Sequence, residues 1–94
     1  MEFEFCKLEI YLPESHLEAV QQALWSVDAG HIGRYDRCLS YSPVIGVWRP
    51  LAGTAPYLGR VGEVCHAPEL KVEVTCRTDR VEETVACLLY TSDA

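Results

Sequence analysis

The segment Leu70-Lys71-Val72-Glu73-Val74-Thr75-Cys76-Arg77-Thr78-Asp79-Arg80-Val81-Glu82-Glu83-Thr84-Val85-Ala86-Cys87-Leu88 changes its period part-way along. Leu70, Val72, Val74 and Cys76 alternate with Lys71, Glu73 and Thr75. Strand side chains repeat every two residues, so this half is a strand with one buried face. After it, Val81, Val85 and Leu88 recur at helical spacing and form one apolar stripe. Thr78 or Asp79 stands where a helix cap is expected, and Asp79, Glu82 and Glu83 complement the positive helix end. The reading is a strand that feeds directly into a helix.

The same unit occurs upstream. From Phe3 to Leu12, the residues Cys6, Leu8, Ile10 and Leu12 alternate with Phe5, Lys7, Glu9 and Tyr11, and Pro13 ends the run. Ser15-His16-Leu17-Glu18 has the form of a capping box, in which Ser15 and Glu18 satisfy each other's amides. Leu17, Val20, Leu24 and Val27 then mark a helix over about 15–29, with Gly30 placed to stop it in a left-handed conformation. Residues 34–41 read as a second strand, with Tyr35, Arg37, Leu39 and Tyr41 on one face. Val47-Trp48-Arg49 reads as a short separate segment after turn signals at Ser42-Pro43 and Gly46. From Leu51 to Pro68 no period holds, and the glycines and prolines predict a long loop.

Strand, helix, strand, excursion, strand, helix is the order of an α+β split βαβ sandwich: an antiparallel sheet with both helices on one face. That fold closes with a strand after the second helix. Tyr90-Thr91-Ser92-Asp93-Ala94 is too short and too polar for one, so the closing C-terminal strand is expected to be missing. Ninety-four residues fit a single domain, 1–94. A chain of 10.6 kDa removes roughly 60–65% of its unfolded surface on folding, a modest core that favours support from an oligomeric partner.

With 14 acidic and 8 basic residues the net charge is −6, which repels phosphate backbones and disfavours nucleic-acid binding. No apolar run approaches the ~20 residues of a membrane span, and Met1-Glu2-Phe3-Glu4 lacks the basic start of a signal peptide. Five cysteines are an odd number without close pairing, and Cys6 and Cys76 fall on apolar strand faces. They read as reduced core thiols of a soluble cytoplasmic protein.

Three stretches carry a family likeness: Asp28-Ala29-Gly30-His31-Ile32-Gly33-Arg34-Tyr35-Asp36-Arg37-Cys38, the run from Gly46-Val47-Trp48-Arg49-Pro50 to Tyr57-Leu58-Gly59, and Gly62-Glu63-Val64 leading into Leu70-Lys71-Val72. Over about residues 5–86 the chain resembles the inserted domain of the NGG1-interacting factor family, also found as a free-standing protein. That domain is similar to the CutA cation-tolerance and PII signalling proteins, so the resemblance implies a ferredoxin-like sandwich and a homo-oligomer, trimer or dimer. By the same resemblance the family's dimetal centres belong to a larger flanking domain, and their catalysis is not carried over to this chain. The family follows its second helix with a His-Pro-Tyr-Glu-Glu stretch, where this chain has Cys87-Leu88-Leu89-Tyr90-Thr91-Ser92-Asp93-Ala94. Residues 87–94 stand as either a native tail or a truncated or misread frame.

Gly30-His31-Ile32-Gly33 follows a helix, whereas a dinucleotide fingerprint precedes one, so these glycines read as a helix stop and strand entry. Gly53, Gly59 and Gly62 lack the Gly-Lys-Ser/Thr of a phosphate loop, and an irregular self-packed loop is the simpler view. Their amides, with Arg49 and Arg60, are nonetheless the best candidate site for a small anionic ligand, with Trp48 and Tyr57 as stacking surface. His31, Cys38, Cys65 and His66 are candidate metal ligands, though they show none of the usual ligand spacings. No catalytic constellation is legible and no cofactor is implied. The leading expectation is a non-enzymatic ligand-sensing or protein-interaction module. A CutA-type metal-binding protein and a purely structural oligomerisation module are the alternatives.

Overall fold

In the computed structural model, which describes residues 4–53 and 59–91, the first alternating run forms strand β1, Phe5–Leu12. A single 3-10 turn at Glu14–His16 leads into helix α1, Leu17–Ser26. Strand β2, Ser40–Trp48, and strand β3, Cys65–Arg77, follow, and helix α2, Val81–Thr91, comes after a 3-10 turn at Thr78–Arg80. The sheet is antiparallel in the order β1-β3-β2.

Register decides which side chains share a face. Cys6, Leu8, Ile10 and Leu12 stand opposite Cys76, Val74, Val72 and Leu70. All eight join α1 residues Leu17, Val20 and Leu24 and α2 residues Val81 and Leu88 in one core. Both helices therefore cover the same face, the expected ferredoxin-like arrangement. Fully burying each such Leu or Val is worth about 1.5–3 kcal/mol relative to exposure. The helix-free face is charged: Lys71 lies 3.6 Å from both Glu9 and Glu73, and Lys7 lies 3.8 Å from Glu73. Polar residues on the outer face of a one-sided sheet are what the alternation predicts.

The boundaries need five corrections. Ser15 does not cap α1, because His16 occupies the cap position without a side-chain bond and the Ser15 hydroxyl lies 3.3 Å from His16 Nδ1. Nor does Gly30 stop that helix. Asp28, at φ 58°, takes the left-handed position; its N–H donates to the Trp25 carbonyl and that of Ala29 to the Leu24 carbonyl. This is a Schellman closure with Asp in the place usually held by Gly. Neither Thr78 nor Asp79 caps α2, since Asp79 forms a two-bond pair with Arg77 instead. In the α2 stripe Val85 is exposed, while Thr84 is buried and donates its hydroxyl to the Arg80 carbonyl.

The middle of the chain also differs from the expectation. Residues 34–39 are not a strand: Arg37 sits at φ 58° and Tyr35 is 74% exposed. The strand begins at Ser40 and runs without a break through Pro43 and Gly46. Proline is tolerated because, among the described residues, β2 is an edge strand with one unpaired side. At Gly46 the Glu69 side chain crosses so closely that any Cβ would collide with it. β3 likewise starts earlier than the alternation indicated, and its Pro68 falls where, among the described residues, β2 is the one paired neighbour. α2 continues through Cys87 and Leu88 to Thr91, and residues 92–94 lie outside the described residues.

Candidate functional site

The connection from β2 to β3 starts at the Trp48 end of the hairpin. Pro50 is buried, and its carbonyl accepts a hydrogen bond from the Gly62 N–H at 2.8 Å. Glu63 N–H donates to the Arg60 carbonyl at 3.1 Å, and the Cys65 thiol donates to the Glu63 carbonyl at 3.4 Å. Gly59, at φ 95°, lies against the Cys65 sulfur, so a side chain there would both strain the backbone and strike that sulfur. The loop is thus tied across its base. One tie brings the segment bearing Arg49 beside the segment bearing Arg60, and both arginines are exposed. Trp48 is half-buried at the same base.

The expected anion nest changes in one respect. Gly53 and Gly62 do take left-handed φ values of 91° and 83°, but the Gly62 amide is engaged by Pro50 and is not free for a ligand. Tyr57 lies outside the described residues.

The four candidate metal ligands do not converge. His31 Nδ1 contacts the Asp28 carboxylate at 3.0 Å, and the Cys38 thiol points to the Asp36 carbonyl at 3.7 Å. Cys65 and His66 are consecutive strand residues, whose side chains leave opposite faces of the sheet. They begin β3, whereas His31 lies near its other end, beside Arg77, roughly 40 Å away at about 3.3 Å per strand residue. Among the described residues no group of three or more His, Cys, Asp or Glu is placed to hold a metal ion.

The Gly30-to-Cys38 stretch has a structural use other than the helix stop and strand entry expected of it. Gly30 N–H donates to the Thr75 carbonyl at 2.8 Å, and its own carbonyl accepts from Cys38 N–H at 2.9 Å. A side chain on Gly30, at φ 82°, would run into the Cys38 backbone. The Arg37 guanidinium lies over the Trp25 ring, 5.2 Å from its centre. Sequence reasoning missed a cavity of about 290 Å³ at this end, lined by Phe5, Val27, His31, Arg77, Arg80 and Thr84 among others. Its lining comes from four separate parts of the chain, so no local signal could have announced it. There His31 is shifted upward, first by its hydrogen bond to Asp28 and then by that carboxylate's charge.

No family model matches the chain. A GTP cyclohydrolase 1 type 2 homolog of Halalkalibacterium halodurans is 34% identical over 83 residues, covering 88% of this chain and 22% of the relative. That of Bacillus subtilis is 42% identical over 67 residues, covering 71% and 18%. In three dimensions, a Bacillus cereus protein related to NIF3 superposes with a TM-score of 0.82 at 25% identity, over 94% of this chain and 22% of that one. The chain is homologous to the inserted-domain region of the NIF3 family. It spans about a fifth of the length of the curated NIF3-family relatives it matches. Bacillus subtilis GlnK shares the fold, with a TM-score of 0.64 at 21% identity over 95% of this chain and 72% of that protein. The resemblance to the inserted domain and the PII-like ferredoxin fold are thereby both borne out. No helix among the described residues is long and apolar enough to cross a membrane.

Proposed function

We propose that the chain is a non-enzymatic sensing module that takes a small anionic ligand at the base of the β2–β3 loop. The observation that carries this is the Gly62-to-Pro50 tie, which sets the exposed Arg49 and Arg60 segments side by side next to Trp48. Guanidinium groups favour phosphate or carboxylate oxygens. A GlnK of the same fold has been solved as an ATP complex, which makes ATP the first probe to use. The match to only about a fifth of each relative favours a module over a complete catalyst.

A thermal-shift panel of nucleotides, pyrophosphate and dicarboxylates, run on the 94-residue chain and its Arg49→Ala variant, tests this. At least one anion should raise the midpoint of the wild type and lose most of that effect in the variant. A flat panel, or equal shifts in both proteins, contradicts the proposal.

A second reading, assembly with copies of itself, is favoured by a separate feature. Tyr41, Ile45 and Val47 are exposed on the face of β2 that continues the core face of the sheet, beside exposed Pro68. Contiguous exposed apolar strips of this kind mark interfaces. Light scattering should give a dimer or trimer mass, and Ile45→Glu should reduce it to the monomer. The CutA-type metal reading would require residues from two chains, given the separation of Cys65 and His66 from His31 and Cys38. Elemental analysis after equilibrium dialysis with copper, zinc and nickel decides it.

A further inference from the structure

Cys6 on β1 and Cys76 on β3 are directly opposed partners in the sheet, and their sulfurs are 3.6 Å apart. Directly opposed residues of antiparallel strands have Cα atoms about 4.5–5.5 Å apart, inside the 4.4–6.8 Å range that a disulfide spans. The sulfurs need approach by only about 1.5 Å to bond. The other three cysteines point elsewhere: Cys38 to the Asp36 carbonyl, Cys65 to that of Glu63 and Cys87 to that of Ala23. Both members of the pair can be reached by a small reagent, because Cys6 is half-buried and Cys76, itself only 5% exposed, lines the 290 Å³ cavity.

We propose that Cys6 and Cys76 are a reversible thiol–disulfide pair, closed by a hydroperoxide. Cys6, the more accessible sulfur, attacks the terminal peroxide oxygen. The O–O bond breaks, an S–O bond forms, and the proton that the Cys6 thiol gives up goes to the displaced alkoxide or hydroxide, which leaves as alcohol or water. Cys76 then attacks the Cys6 sulfenic acid: the S–S bond forms, the S–O bond breaks, and the Cys76 proton leaves with the hydroxyl as water. The two sulfurs together give up two electrons, which the peroxide accepts. Burial, then the hydrogen bond and charge of Cys6, push the Cys76 thiol up to about 11. Little Cys76 thiolate therefore exists at neutral pH, so Cys76 acts second, on the sulfenic acid, and not first on the peroxide. The bond joins residues 70 positions apart. Closing so long a loop restricts the unfolded chain, so the oxidised form resists urea better.

The 94-residue chain is treated with hydrogen peroxide, its remaining thiols are alkylated, and it is digested with trypsin without reductant. Peptides 1–7 and 72–77 should appear as one species, two hydrogens lighter than their sum and separated again by dithiothreitol. The free thiols of the intact protein should fall from five to three, and its urea midpoint should rise. Cys6→Ser, at a half-buried position, should fold and leave Cys76 reduced; Cys76→Ser should leave Cys6 as sulfenic acid or a further oxidised form. The proposal is overturned if folded wild type links other cysteines, if Cys6 oxidises to sulfinic acid with Cys76 still free, or if the joined peptides form only in urea.

Discussion

The two ends of β3 belong to one strand and live in different surroundings. Around Leu70–Cys76 the alternating apolar side chains meet β1, α1 and α2 and disappear from solvent. Around Cys65–Glu69 the strand pairs with β2, the apolar alternation gives way to His66 and Pro68 on that face, and no helix among the described residues covers it. Ile45 and Val47, which share the core face, are 65% and 60% exposed. The difference teaches that period fixes which face a side chain takes, and a second layer decides whether that face is buried. It also separates tasks. The covered end holds the fold together, and the uncovered end carries the tied loop with its two arginines.

The sharpest way to break this comparison is to truncate one residue on each side. Leu24→Ala, at a site with 0% exposure, should cost about 3–5 kcal/mol in urea unfolding. Ile45→Ala should change stability by no more than about 0.5 kcal/mol in the monomer. Equal losses would mean that the arm is also covered, by a second copy of the chain. Next in size, Gly30→Ala should cost about 1–3 kcal/mol, because the left-handed backbone and the Cys38 contact act together. Gly33→Ala, also left-handed but facing open space, should cost about 1 kcal/mol.

The smallest effect is one of pH. His31 has a raised folded pKa from its Asp28 partner. The protonated pair therefore contributes its full stability below the unfolded histidine value, about 6.5, and loses it as pH rises through the folded value. Asp28→Asn should flatten that dependence, read from urea midpoints across this range, while the His31 NMR titration moves back toward lower pH. An unchanged titration would show that the pair is not made.

What was legible in the sequence follows the same division. β1, the second half of β3 and the two helical stripes show in the alternation because each has a covered face to declare. The caps were misread because Ser15 and Asp79 bond neighbouring side chains instead of amides, a choice that composition does not reveal. β2 was divided because Pro43 and Gly46 look like turns. They sit in a strand whose outer edge is unpaired among the described residues, with the Glu69 side chain lying over Gly46. The loop's glycines, Arg49 and Arg60 were visible as types. The tie between Gly62 and Pro50 that groups them is a backbone contact, which no side-chain pattern encodes.

Hydrogen exchange of the 94-residue chain, with and without saturating ATP and pyrophosphate, tests the central claim most directly. The account predicts slowed exchange within residues 46–64 with at least one of them, and no change along 70–77. Unchanged exchange throughout, or slowing confined to the Phe5 and Arg77 end, would contradict it.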